Sequence, residues 1–167
     1  HAMVVNAEAL RRAGLLEGGG PVVEGGEVVL DGKGLPTGVL IDNACGLVSA
    51  IIPSHPEPRR LEALLEAQSN LLAHGIVSIT DAGLSPAEIE RIDALQEAGL
   101  LKLRVNALVT ASDENIAWLV DSGRRIEDML VVNGVKFYMD GALGSRGALL
   151  RQPYSDRKGW FGLATQR

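Results

Sequence analysis

A chain of 167 residues with 46% hydrophobic but only 4% aromatic residues can bury a core of Leu, Val, Ile and Ala, enough for one domain or one and a small appendage. A net charge of −5, with no Lys/Arg cluster interleaved with aromatics, argues against nucleic acid as a partner, and 22% charged residues do not make a disordered composition. One cysteine, Cys45, rules out an internal disulfide and fits a reducing, cytoplasmic setting; no apolar run approaches the roughly 20 residues that span a bilayer, and no signal peptide is visible, so no membrane partner is expected.

The chain opens HAMVVNAEALRRAGL, without an initiator Met, as a cloning scar or the first residues of a piece cut from something longer would. NAEALRRAG, residues 6–14, predicts a short helix capped by Asn6 and ended by Gly14. The Gly triplet and two prolines that follow are punctuation, and VVEGGEVVLDGKG reads as a hairpin. Residues 1–52 therefore read as a small α+β segment. Cys45, in the run DNACGLV, reads as a small buried residue rather than a nucleophile.

PSHPEP at 53–58 is a proline-rich joint, after which the pattern changes. Leu61, Leu64, Leu65, Leu71 and Leu72 recur at helical spacing over 59–73, with Gly75 as the stop. GIVSITDAG predicts a strand. Ser85-Pro86-Ala87-Glu88 predicts a capped helix start, and that helix runs to Gly99 with Ile89, Ile92 and Leu95 on one face. LLKLRVNALV predicts a strand, SDENIAWLVDSG a helix capped by Ser112, and VVNGVKFYMDG a third strand.

Helix and strand thus alternate from residue 59, which points to parallel strands with helical crossovers. An open doubly wound sheet and part of a (β/α)₈ barrel both fit; neither G-x-G-x-x-G nor a P-loop follows a strand. Alternation gives each strand an apolar and a polar row. Leu101, Leu103, Val105, Ala107 and Val109 oppose Lys102, Arg104 and Asn106. Ser78 and Thr80 oppose Val77 and Ile79, and Lys136, Tyr138 and Asp140 oppose Val135, Phe137 and Met139. A sheet with one face in water explains the pattern. So does an enzyme barrel, with helices over the apolar rows and the polar rows in its lumen. Barrel active sites lie at the C-terminal ends of strands, where Asp81 and Asp140 are expected.

Four segments, in order, resemble the amidohydrolase superfamily, specifically its family 3 of metal-dependent hydrolases. They are HAMVVNAEALRRAGL, GLPTGVLIDNA, GIVSITDAG and GVKFYMDGALGSRGALL. The resemblance implies a (β/α)₈ TIM-type barrel that hydrolyses C–N bonds of amide-like small molecules with metal-activated water, the metal usually zinc. It also implies that residues 1–52 belong to a small inserted α+β domain, and that residues 53–167 form a partial barrel of about strands two to four. By the same resemblance Lys136 stands at the position of a carboxylated, metal-bridging lysine, and His1 at a position that faces substrate. As catalytic candidates, Asp81 would orient a metal ligand or Lys136, or else cap the next turn, and Asp140 is expected at the end of its own strand. Arg146 would take a substrate carboxylate, or pair as a loop arginine with Asp156 or Asp140.

The chain departs from the superfamily pattern. It has three histidines only, His1, His55 and His74, and no H-x-H pair. His74 reads as a helix-end residue and His55 as a solvated loop residue. Catalytic zinc normally has three protein ligands, and Lys136 with one carboxylate is too few. The expectation is a fragment that is inactive alone, binds no metal stably by itself, and self-associates as a homo-oligomer through open strand edges. Two other classes remain open. One is a Schiff-base aldolase with Lys136 as the amine nucleophile. The other is a non-catalytic interaction module.

Overall fold

The computed structural model describes residues 1–16 and 20–165. The fold is mixed α/β with two sheets, and the chain divides into two units, His1–Ser54 with Tyr138–Arg167, and His55–Phe137. The first change of unit along the chain is between Ser54 and His55. The second is between Phe137 and Tyr138, so that residues 138–167 group with the N-terminal residues.

In the first unit, strands β1 (Ala2–Val4), β2 (Gly26–Leu30) and β3 (Pro36–Asp42) form an antiparallel sheet of order β1-β3-β2. Helix α1 (Ala7–Arg12) begins where Asn6 accepts the Ala9 N–H, as its sequence requires. A 3₁₀ turn (Asn43–Cys45) and the short helix α2 (Gly46–Ser49) follow β3. Leu10, Leu15, Leu40, Ala44 and Val48 form the buried cluster. The hairpin lies further along than its sequence suggested. Its arms are β2 and β3, and its turn is the DGKG run, where the Asp31 carboxylate accepts the N–H groups of Lys33 and Leu35. The Gly-x-Pro-Thr-Gly signature has a backbone cause. Gly38 has φ +93° and its carbonyl accepts the Val5 N–H, and a Cβ there would stand 2.4 Å from the Val5 carbonyl oxygen.

The second unit begins with α3 (Glu57–Ala73) and continues through β4 (Ser78–Leu84), α4 (Pro86–Glu97), β5 (Arg104–Thr110), α5 (Asp113–Ser122), β6 (Arg125–Ile126) and β7 (Leu130–Lys136). The α4 cap is a complete capping box, with Ser85 and Glu88 satisfying each other's backbone N–H groups. Strands β4, β5 and β7 are parallel neighbours in chain order, and the short β6, which the sequence did not announce, pairs antiparallel with β7. Val105, Ala107, Val109, Leu130 and Val132 are buried with Ile89 and Ile92 of α4, and Leu71, Trp118 and Leu119 pack on the same cluster. Helices thus cover the apolar rows. Leu72 is the exception on the face expected for α3, at 38% exposure. β7 is also shorter than expected. It ends at Lys136, so Phe137, Tyr138 and Met139 are exposed and do not continue the alternation.

Candidate functional site

Lys136 is the last residue of β7, and its register partner Thr110 is the last residue of β5. Strict alternation from the buried Leu130 and Val132 would put Lys136 on their side, under the helices. A bulge prevents this. Ala107 pairs with Val132 and Leu108 with Gly134, leaving Asn133 as the extra residue. Beyond it Val135 faces with buried Val109, and Lys136 joins the row of Arg104, Asn106 and Thr110. On that row the Asn106 amide donates to Thr80 Oγ1 at 3.3 Å, while Asn106 Oδ1 is buried with no hydrogen-bond partner among the described residues.

Asp81 lies in the middle of β4 rather than at its end. Its partner is Ala107, so it shares the side of Ile79 and not that of Thr80 or Lys136, although it is itself exposed. The strand continues to Leu84 past a second bulge at Gly83.

The remaining predicted residues belong to the first unit. Asp140 is not on Lys136's strand. It forms an isolated antiparallel bridge with Ala164, and its Oδ2 accepts the Leu149 N–H at 2.9 Å. Arg146 adopts φ +61°, and its guanidinium is held by Asp156, with Nε–Oδ2 at 3.0 Å. That pair lines a groove of about 600 Å³ with Glu27 and Arg157, which are themselves joined by two hydrogen bonds of 2.8 Å.

His1 lies in a tighter constellation. Its Nδ1 is 2.7 Å from Asp42 Oδ1, and the Asp42 N–H donates to the His1 carbonyl at 2.8 Å. The Tyr138 ring meets the imidazole edge-on, centroids 5.9 Å apart at 73°. Together with Asn43, Cys45 and Thr165 these three side chains line a cleft of about 390 Å³. Asn43 fixes one wall, donating its amide to the carbonyls of Glu24 and Thr165.

Asp42 is the unusual member of this cleft. Its side chain is 1% exposed, its Oδ2 has no hydrogen-bond partner among the described residues, and its backbone sits at φ +46°, a conformation that costs a non-glycine residue about 1–3 kcal/mol. Burial pushes its carboxyl above the ordinary range; the chain's terminal ammonium opposes that shift and Asp140 adds to it. Glycines enclose Oδ2. A Cβ on Gly141 would stand 2.1 Å from it and one on Gly147 2.2 Å. Asp42 is not among the residues the sequence singles out; the one available signal is an acid closing the apolar run VLI. Cys45 is half-buried, its Sγ contacts the Leu40 carbonyl, and burial raises its pKa, which disfavours a nucleophilic thiolate. His74 caps α3, with Nδ1 2.8 Å from the Asn70 carbonyl.

Among the described residues no group of three or more His, Cys, Asp or Glu side chains is arranged to hold a metal ion. No described helix is long and apolar enough to cross a membrane.

The amidohydrolase family model matches residues 1–167. Two curated relatives are similar. YtcJ of Bacillus subtilis (strain 168) is 30% identical across 93% of this chain, and the protein LONG AFTER FAR-RED 3 of Arabidopsis thaliana is 27% identical across 98%. The chain spans 30% of the length of each. Among solved structures, an uncharacterized metal-dependent hydrolase from Pyrococcus horikoshii OT3 is 26% identical with a TM-score of 0.69, covering all of this chain and 32% of that one. A second, from Pyrococcus furiosus, shares the fold at 24% identity and a TM-score of 0.67, covering all of this chain and 34% of that one.

Proposed function

The chain belongs to the amidohydrolase family, and from that premise we propose that it is part of a metal-dependent hydrolase acting on amide-like C–N bonds of small molecules, with zinc as the metal. The observation that carries the reading is Lys136. Four segments in family order lead to it, and its strand ends with the lysine on the sheet face opposite the rows that the helices pack on. The three parallel strands are sheet neighbours in chain order, joined through the helices α4 and α5, an arrangement that a segment of a (β/α)₈ barrel has.

The described residues of this chain do not by themselves fit a metal centre. Three protein ligands are the usual minimum for catalytic zinc, and no such set exists among the described residues. In this reading the remaining ligands come from the part of the hydrolase that the chain does not span. The chain supplies Lys136 and the polar row around it, with His1 facing substrate, and does not turn over substrate alone.

The test is a chromogenic amide panel assayed with added zinc, on the 167-residue chain and on a version carrying the rest of the hydrolase. Turnover that appears only in the longer version and disappears with a chelator supports the reading. Metal-dependent turnover by the 167-residue chain sinks the inactive-fragment part of it. A longer version that turns over amides unaffected by chelation sinks the metal-dependent part.

A further inference from the structure

We propose that Asp42 is a positioning residue for His1, holding the imidazole with its proton on Nδ1 so that Nε2 is the nitrogen that serves the 390 Å³ cleft as acceptor for an N–H or O–H donor of a small ligand. The assignment rests on the geometry of the cleft and stands or falls independently of the hydrolase reading.

Three features support it. A carboxylate 2.7 Å from Nδ1 accepts a hydrogen bond, so the ring nitrogen facing it carries the proton and the lone pair of the neutral ring is on Nε2. The carboxylate is also fixed. Its side chain is almost fully enclosed, Gly141 and Gly147 close on Oδ2, and the β1–β3 register places the His1 and Asp42 backbones in contact. Finally, the arrangement carries costs that packing alone does not explain. A buried carboxylate oxygen lacks a partner among the described residues, and an aspartate occupies a positive φ where glycine would be relaxed. An aromatic edge from Tyr138 and the amide of Asn43 then give the cleft a flat, mixed lining, suited to a planar amide or a hydroxylated ring.

The step this geometry allows is a single proton transfer. A ligand N–H or O–H bond breaks, its proton moves to Nε2, and its electron pair stays on the ligand heteroatom. The resulting imidazolium is balanced by the Asp42 carboxylate, which keeps its own charge.

Nitrogen-15 NMR of the labelled 167-residue chain, above the titration of its histidines, reads the tautomer directly. The chain has three histidines, and His74, whose Nδ1 faces the Asn70 carbonyl, is an internal reference for the Nδ1–H form. The expected result is Nδ1 of His1 in the protonated range and Nε2 in the lone-pair range. In Asp42→Ala the two should exchange towards the Nε2–H form that a free imidazole prefers, with His74 unmoved. A wild-type His1 with its proton on Nε2 overturns the proposal, as does an Asp42→Ala spectrum with His1 unchanged. If Asp42→Ala does not fold, the wild-type spectrum decides alone.

Discussion

Lys136 and Thr110 pair at the C-terminal ends of two parallel strands, and they do so because Asn133 is a residue too many. Without that bulge, alternation from Leu130 and Val132 would turn the lysine under the helices. Deleting Asn133 should therefore drive an ammonium into an apolar layer or break the end of the strand. The expected cost is on the order of 3 kcal/mol, by analogy with other buried unpaired charges. Urea denaturation of the deletion against an Asn133→Ala control, which keeps the bulge, checks it; equal midpoints would contradict the account.

The glycines around Asp42 give a second expectation. Gly141→Ala and Gly147→Ala each place a methyl group about 2 Å from Asp42 Oδ2, so each should destabilise by about 1–3 kcal/mol. Gly144→Ala meets nothing within 4 Å and has no positive φ, so it should be close to neutral. Thermal unfolding of the three variants side by side distinguishes a specific clash from a general intolerance of the loop.

Asp42 also sets a pH dependence with a definite sign. Its carboxyl titrates above its ordinary value of 3.8 when folded, chiefly because it is buried, so the folded state binds its proton more readily than the unfolded chain does. The penalty for its charge is present above the folded pKa, shrinks as pH falls through that pKa, and is gone below 3.8. Wild type should therefore gain stability relative to Asp42→Asn on acidification across that window. Parallel urea titrations at descending pH measure the difference; a gap that widens against wild type would contradict the assignment.

Much of this was legible in the sequence because the local signals are strong. The Ser85 capping box, the Asn6 cap and the alternation of β5 from Arg104 to Thr110 each have a short-range cause. What escaped has a longer reach. Bulges at Gly83 and Asn133 reverse face assignments, and they depend on neighbouring strands rather than on their own residues. Asp81, expected at a strand end, lies mid-strand because β4 runs on to Leu84 past the Gly83 bulge. Asp140 belongs to a bridge with Ala164, a partner 24 positions on, which no alternation rule foresees. Asp42 needed Gly141 and Gly147, about 100 residues away in sequence, to become a buried carboxylate.

Arg157 offers a test of what holds the first unit together. It makes two 2.8 Å hydrogen bonds to Glu27 and stacks 4.2 Å from the Trp160 ring. Arg157→Lys keeps the charge but loses the planar fork and most of the stacking, so it should cost about 1–2 kcal/mol. Calorimetric unfolding that leaves Arg157→Lys within a few tenths of wild type would show the contact to be incidental.

A Schiff-base role for Lys136 separates cleanly from the hydrolase reading. Borohydride with small aldehydes and ketones should leave Lys136 unmodified beyond the level of the other lysines, as peptide mapping would show. Selective trapping at Lys136 would favour lyase chemistry.

The most direct measurement is of Lys136 itself, in the version that carries the rest of the hydrolase. Metal content and amide turnover should both fall in Lys136→Ala, to substoichiometric metal and background rate, with the fold intact by circular dichroism. A Lys136→Ala protein that keeps its metal and its turnover would contradict the account.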